Sequence, residues 1–315
     1  MITFQKYSFF CTWTSEALLP IYWGSALRGG LGRWLRKTCC VFRNRKCDDC
    51  IVKSSCIYFF IFETENNKYS ETVNARPHPI VLEPPLPVPS STRQGDKFSF
   101  SIILIGKAND FLPHLVYSII QMGKDGIGAK TGHGYGSFTV DTISSDKTVL
   151  FDKNGYDLKR PVSLHTLELS NSTIYPCKRL EVEFQTPFRV KYKGRFIDSI
   201  PFHILIRAAL RRISSLEAAY GTGEPKLDYS NLVAGAKKIE VIDEQIHWQE
   251  LPRFSSRQKC KMTLGGPVGR VIYEGNIGPY LQFLSYCQPV HLGKQTFFGL
   301  GKIKLSNGNL CSGLH

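Results

Sequence analysis

This sequence lacks long apolar runs, a hydrophobic leader, and acidic residues over two long stretches. The longest apolar run is Ile57–Phe62, far below the roughly 20 residues a membrane helix needs. The opening MITFQKYSFFC is interrupted by Gln5, Lys6 and Ser8, so no signal-peptide core is expected there and a cytoplasmic location follows. Acids are absent from Arg28 to Lys46, which holds Arg28, Arg33, Arg36, Lys37, Arg43, Arg45 and Lys46. They are absent again from Arg253 to Arg270, which holds Arg253, Arg257, Lys259, Lys261 and Arg270. A surface without compensating acids is the footprint of a polyanion binder.

What is present fits a folded, basic protein. The chain has 315 residues, 42% apolar and 21% charged, a globular rather than disordered composition. That length favours two domains, each with its own core. The net charge of +14 is unevenly distributed. Trp34, Phe42 and Phe254 are interleaved with the basic stretches, as platforms on which bases can stack. Nucleic acid is therefore the expected partner, and a basic surface tuned for solubility is the alternative.

Of the ten cysteines, five fall within Cys39–Cys56. Without a secretory signal they read as reduced thiols rather than a disulfide framework. The spacing Cys40-x6-Cys47-x2-Cys50-x5-Cys56 suits four thiolates on a structural zinc. An iron–sulfur cluster could use the same ligands, and Cys39 is an alternative fourth ligand.

Along the chain, Ile2–Cys11 alternates as a strand, and a helical pattern runs from Pro20 to about Lys37. Gly29, Gly30 and Gly32 inside it imply either close approach of another backbone or a break. Arg76–Pro89, with six prolines, reads as an extended connector. A strand at Ser99–Ile105, a helix at Leu112–Met122, the loop Gly126–Phe138 and a strand at Ser137–Ile143 follow. The polar stretch Ser144–Arg160 is the expected boundary, giving domains at 1–150 and 160–315. The second half repeats the pattern: strand Arg179–Val190, helix Pro201–Tyr220, strands Ile239–Leu251 and Pro267–Glu274, helix Pro279–Cys287, then a closing loop and strand at His291–Leu305. Each half reads β-α-β-β-α-β, so the expected fold is α+β, two tandem ferredoxin-like domains with a cysteine-rich insertion in the first. Each ends in a basic glycine-rich loop, GIGAKTGHGYGSF and HLGKQTFFGLG. Backbone N–H groups of such turns can form anion nests, with lysines as point charges.

These pieces resemble, over nearly the whole chain, the CRISPR-associated precursor-RNA processing endoribonucleases of the repeat-associated mysterious protein (RAMP) superfamily. The resemblance rests on Ala26-Leu27-Arg28-Gly29, the cysteines, Val81-Leu82-Glu83-Pro84-Pro85, Gly126–Phe138, Tyr220-Gly221-x-Gly223, Ser256-Arg257-Gln258-x3-Met262-x2-Gly265-Gly266, and His291-Leu292-Gly293-Lys294 with Phe298-Gly299-Leu300-Gly301, in that order. It implies an enzyme that binds CRISPR repeat RNA and cuts precursor RNA without a catalytic metal. In that chemistry the 2′-OH attacks the adjacent phosphate, leaving 2′,3′-cyclic phosphate and 5′-OH ends. Many relatives carry a catalytic histidine in or just after the first helix, whereas this chain has none before His78.

His291, at the mouth of the closing loop, is then the candidate acid or base, with Tyr22, Arg28 and Arg33 the alternatives if no histidine acts. Expected RNA contacts are Arg36, Lys37, Lys130, His133, Arg253, Arg257, Lys259, Lys261, Lys294 and Lys302. The expected metal ligands are Cys40, Cys47, Cys50 and Cys56. Two rival readings remain: a non-catalytic guide-RNA-binding subunit of a multisubunit effector complex, and a zinc-containing DNA-binding regulator. The second is disfavoured because no recognition-helix motif follows the cysteines.

Overall fold

The computed structural model describes residues 1–42, 45–63, 76–89, 92–132, 134–155, 157–169, 176–255 and 260–307. His133, Arg257 and Lys259, and the side chain of Lys261, lie outside the described residues.

Tyr7, Phe9, Cys11 and Trp13 are buried at period two along β1 (Ile2–Trp13), as expected of a strand with one face on a core. The first half continues with α1 (Gly24–Cys39), α2 (Ile57–Phe62), β2 (Ile80–Glu83), β3 (Lys97–Ile105), α3 (Leu112–Asp125), β4 (Ile127–Thr131), β5 (Gly134–Gly136), β6 (Phe138–Ser145), β7 (Thr148–Asp152) and β8 (His165–Leu167). Its sheet runs β2-β3-β1-β6-β7, with β8 also paired to β1, and its ladders are antiparallel. Leu27, Leu31 and Leu35 of α1 and Leu115, Ile119 and Met122 of α3 share one core with Trp13, Trp23, Phe98 and Phe138.

The second half contains β9 (Arg179–Phe184), β10 (Lys191–Tyr192), β11 (Arg195–Phe196), α4 (Phe202–Tyr220), α5 (Tyr229–Ala236), β12 (Glu240–Gln249), β13 (Pro252–Ser255), β14 (Cys260–Thr263), β15 (Gly266–Glu274), α6 (Gly278–Cys287) and β16 (Ile303–Asn307). Its sheet order, β12-β15-β9-β16, reproduces β2-β3-β1-β6. Both halves are therefore ferredoxin-like, and α4 and α6 cover one sheet with Leu205, Ile213, Phe283 and Leu284 buried together.

Two sequence expectations change, and a third is resolved between its alternatives. The proline-rich connector contains β2, because its prolines flank rather than interrupt Ile80–Glu83 and leave those residues free to pair with β3. The stretch expected to separate the halves carries β7, folded back on β6 through Asp146 at φ 52°. The first sheet then extends to Leu167 through β8. The glycines of α1 do not break it. They admit neighbours: a Cβ on Gly30 would lie 2.5 Å from the Met122 sulfur, and one on Gly32 2.7 Å from the Phe62 ring.

The two cores also interpenetrate. Ile2, Ile105 and Leu167 pack into the C-terminal core, while Phe297 of the closing loop packs into the N-terminal one. Gly24 is the tightest point of this seam, since an added Cβ would sit 2.2 Å from the Phe298 carbonyl oxygen. A backbone oxygen cannot rotate away, so Gly24→Ala is expected to cost about 1–3 kcal/mol by overpacking. Urea unfolding measures this; a wild-type midpoint would show that α1 is not pinned against the closing loop.

Candidate nucleic-acid interface

The closing loop, residues 291–301, is shaped by its glycines, but most of it points inward. Gly299 has φ 87°, and a Cβ there would meet the Leu82 carbonyl oxygen at 2.3 Å. Gly301 has φ 73°, and a Cβ there would meet the Leu292 carbonyl oxygen at 1.7 Å. Both positions need a residue without a side chain. The Tyr22 hydroxyl donates to the Phe298 carbonyl at 2.8 Å, and the Thr186 hydroxyl to that of Gly299 at 2.9 Å. The glycines expected to form an anion nest instead bring backbones together, Gly299 across the seam and Gly301 within the loop itself. Only its Gly293–Gln295 corner reaches water, with Lys294 exposed.

His291 lies inside this seam, 1% exposed. Its Nδ1 is 3.1 Å from the Leu300 carbonyl oxygen and its Nε2 3.1 Å from Glu83 Oε1. Glu83, at the end of β2, also pairs with Lys302 at 2.9 Å and with Lys6 of β1. Burial pushes the Glu83 carboxyl up, but the hydrogen bond and charge of His291 and the charges of Lys302 and Lys6 prevail and hold it below the carboxylate range. Burial pushes the His291 imidazole down, more strongly than its bond to Glu83 pulls it up. Tyr22, also buried, has its phenol pushed up by desolvation and then by the Glu83 charge, which makes it a poor base. Three residues expected at the RNA site thus hold the two domains together instead, His291 and Lys302 through the Glu83 carboxylate and Tyr22 through the Phe298 carbonyl.

A different pair of cations meets at the seam. Arg28 on α1 places its guanidinium carbon 4.8 Å from the Phe298 ring centroid, and 4.6 Å from that of Phe297. Arg253, on the β13–β14 hairpin of the other domain, lies 4.7 Å from the same Phe298 ring. Sharing that ring, the two guanidinium carbons lie within reach of one extended phosphodiester group. Both arginines are half-buried, and burial lowers the Arg253 pKa. Stacking on aromatic faces fixes long cationic side chains in place. The basic stretches that sequence alone could only call polyanion-binding therefore converge from two domains on one phenylalanine.

The remaining basic residues spread away from this point. Arg33 is exposed on α1. Arg36 lies 5.8 Å from the Tyr58 ring centroid. Lys37 sits 4.1 Å over Trp34 and pairs with Asp125 at 3.4 Å. Lys130 is exposed on the β4–β5 hairpin.

The cysteines gather at the C-terminal end of α1. Cys40 caps that helix, its N–H donating to the Arg36 carbonyl at 2.9 Å, and Cys47 and Cys50 share a turn. Burial pushes the Cys47 thiol up, and Cys40 and Cys56 add to the shift, so these thiols lie within electrostatic reach of one another. Among the described residues, however, no three His, Cys, Asp or Glu side chains are grouped closely enough to hold an ion. No helix among them is long and apolar enough to cross a membrane.

Residues 182–303 match the family described as CRISPR-associated endoribonuclease Cas6, and residues 2–162 match one described as an N-terminal domain. An uncharacterized protein of Archaeoglobus fulgidus is 25% identical over 292 residues, covering 91% of this chain and 92% of that one. Among solved structures, a Thermus thermophilus Cas6 product complex is 12% identical with a TM-score of 0.55, covering 96% of this chain and 99% of that one. A partial Cas6-RT-Cas1–Cas2 complex is 14% identical, also at 0.55, and covers 100% of this chain. The present chain spans 48% of that longer one. At these identities the structural likenesses speak to the fold.

The seam predicts a pH dependence. Because the folded state holds Glu83 below its ordinary value of 4.5, its contribution is complete above that pH and is lost as the pH falls through the folded value. Glu83→Gln keeps one acceptor oxygen but removes the negative charge that answers Lys302 and Lys6, and is expected to cost about 3 kcal/mol, the low end for a broken buried pair because Lys6 and Lys302 reach water. Chemical unfolding from pH 7 down to pH 3 measures both. Equal stability of the variant and the parent at pH 7 would remove the carboxylate from its structural role.

Proposed function

We propose that this chain, whose residues 182–303 match the CRISPR-associated endoribonuclease Cas6 family, binds CRISPR repeat RNA across the seam and cuts precursor RNA there. The observation that carries this reading is the meeting of Arg28 and Arg253 on Phe298. RNA cleavage by its own 2′-OH needs little more than alignment of a tethered nucleophile and neutralisation of the charge that builds on phosphorus. Two guanidiniums held from opposite domains supply the second, and their shared phosphate fixes the first. The products are a 2′,3′-cyclic phosphate and a 5′-OH, and no catalytic metal takes part. Arg33, exposed on the same helix, extends the grip along the backbone.

One observation favours a second reading. His291, the histidine best placed in the sequence to move a proton, is buried with both ring nitrogens engaged. A protein whose His291 imidazole is engaged in this way could hold guide RNA in an effector complex without cutting it. The enzymatic reading answers that positioning and charge suffice for slow, single-turnover cleavage.

The two separate in one assay. With repeat RNA from the host array and EDTA present, cleavage to a cyclic phosphate end is expected. Arg28→Ala and Arg253→Ala should each slow it by about 10²–10³, with Arg28→Lys recovering part of the loss. Tight binding with intact RNA would establish the guide-binding reading.

Zinc on the cysteines is proposed as a structural cofactor, closing the segment between α1 and α2. Metal analysis should find about one zinc per chain, and Cys47→Ser should lower solubility before it lowers the intrinsic rate. Iron in its place would indicate a cluster, and neither metal would dismiss the site.

A further inference from the structure

A second basic surface lies on the C-terminal domain, outside both acid-free stretches. It begins where the seam ends. Arg189 Nη1 donates to the Gly265 carbonyl at 2.8 Å, at the foot of the hairpin that carries Arg253. The Lys294 N–H donates to the Arg189 carbonyl at 2.8 Å, so the exposed corner of the closing loop sits directly beside Arg189. The next element is α4: Arg212 donates to the Val290 carbonyl at 2.8 Å. That contact seats the helix against the start of the same loop and leaves Arg211 on the exposed face, with Arg207 one turn earlier.

The β10–β11 hairpin completes the surface. Its Lys193–Gly194 turn has φ values of 47° and 82°, both left-handed, the two-residue turn that suits a tight hairpin. Phe196 is approached by Arg189 at 3.8 Å and by Lys191 at 4.9 Å. Tyr192 is approached by Lys193 at 5.6 Å and by Arg207 at 5.7 Å. These rings hold cations upright that would otherwise sample many rotamers, which reduces the entropy lost when a ligand is bound.

Among the described residues, none of Arg189, Lys191, Arg207, Arg211 and Lys294 forms an ion pair with an acid. Their crowding is felt: after burial, Arg211, Lys191 and Arg189 depress the Lys294 ammonium, and Arg253 depresses Arg189 while Glu250 opposes it. Cations kept this close without ion-paired acids carry an electrostatic cost that a polyanion relieves.

We infer that this surface is a track for the single-stranded RNA flank leaving the seam, its phosphates passing Arg189, Lys294, Arg211 and Lys191 toward Tyr192 and Arg207. A single strand fits better than a duplex because the cations follow one winding line, interleaved with aromatic rings. The inference rests on the proposed reading of the seam as the cleavage site, and it adds a binding surface that is separate from the chemistry.

The test uses the full chain and two labelled probes: repeat RNA with its single-stranded flank, and the same RNA trimmed of it. The variant is Lys191→Ala/Arg207→Ala/Arg211→Ala, at three exposed positions, with circular dichroism as a check on folding. On the flanked probe the slope of log affinity against log salt should become shallower by about two units. On the trimmed probe it should stay unchanged, and the cleavage rate at saturating protein should match the parent. Wild-type slope and affinity on the flanked probe, with Arg28→Ala still slow in cleavage, would overturn the track and leave the seam reading intact. Equal losses on both probes would assign the surface to the repeat itself and overturn its assignment to the flank. A parent protein that neither binds nor cuts either probe would defeat the seam reading, and the track with it.

Discussion

Glu83 is an ionised carboxylate withdrawn from water, and it is answered from both domains. Lys6 reaches it from the first sheet, His291 and Lys302 from the closing loop of the second. A buried charge is tolerated only when it is paired and hydrogen-bonded, so the two sheets cannot separate without exposing that charge or leaving it unmatched. The rest of the seam depends on this register. With Glu83 at the end of β2, the Leu82 carbonyl lies where only a glycine at 299 can pass it. Phe297 then enters the N-terminal core, and the buried Phe298 ring receives both Arg28 and Arg253.

The fold was largely legible because each half repeats a periodic grammar. Alternation in β1 and helical spacing in α4 announce their elements locally, and the second half restates the order of the first. The edge strand β2 was hidden by its prolines, which govern the flanks of Ile80–Glu83 and not its interior. β7 was hidden by the polar residues around its turn. Both strands are short and pair with the neighbouring strand in the chain, β2 with β3 and β7 with β6, so the prolines and polar turn residues around them outweigh their own few residues in the sequence pattern.

The site was less legible, for a different reason. Glycines and lysines in a turn look the same in sequence whether the turn embraces a phosphate or another backbone. Lys294 and Lys302 stand eight positions apart in the chain, yet the first is exposed and the second is tied to a buried carboxylate. Arg28 and Arg253 could be named from the missing acids around them, but their convergence on Phe298 is a product of tertiary packing. The hairpin Lys191-Tyr192-Lys193-Gly194-Arg195-Phe196 did carry a readable signal, basic and aromatic residues alternating about a turn. It was overlooked because its charge density is lower than that of the acid-free stretches.

The central claim is that RNA lies across the seam, touching both domains at Phe298. Photo-crosslinking of repeat RNA carrying 4-thiouridine at each position in turn, followed by mass spectrometry of the attached peptides, tests it most directly. The account predicts that one position, or two neighbours, crosslinks both to α1 near Arg28 and to the β13–β14 hairpin near Arg253. Crosslinks confined to a single domain, or absent from both of these segments, would contradict it.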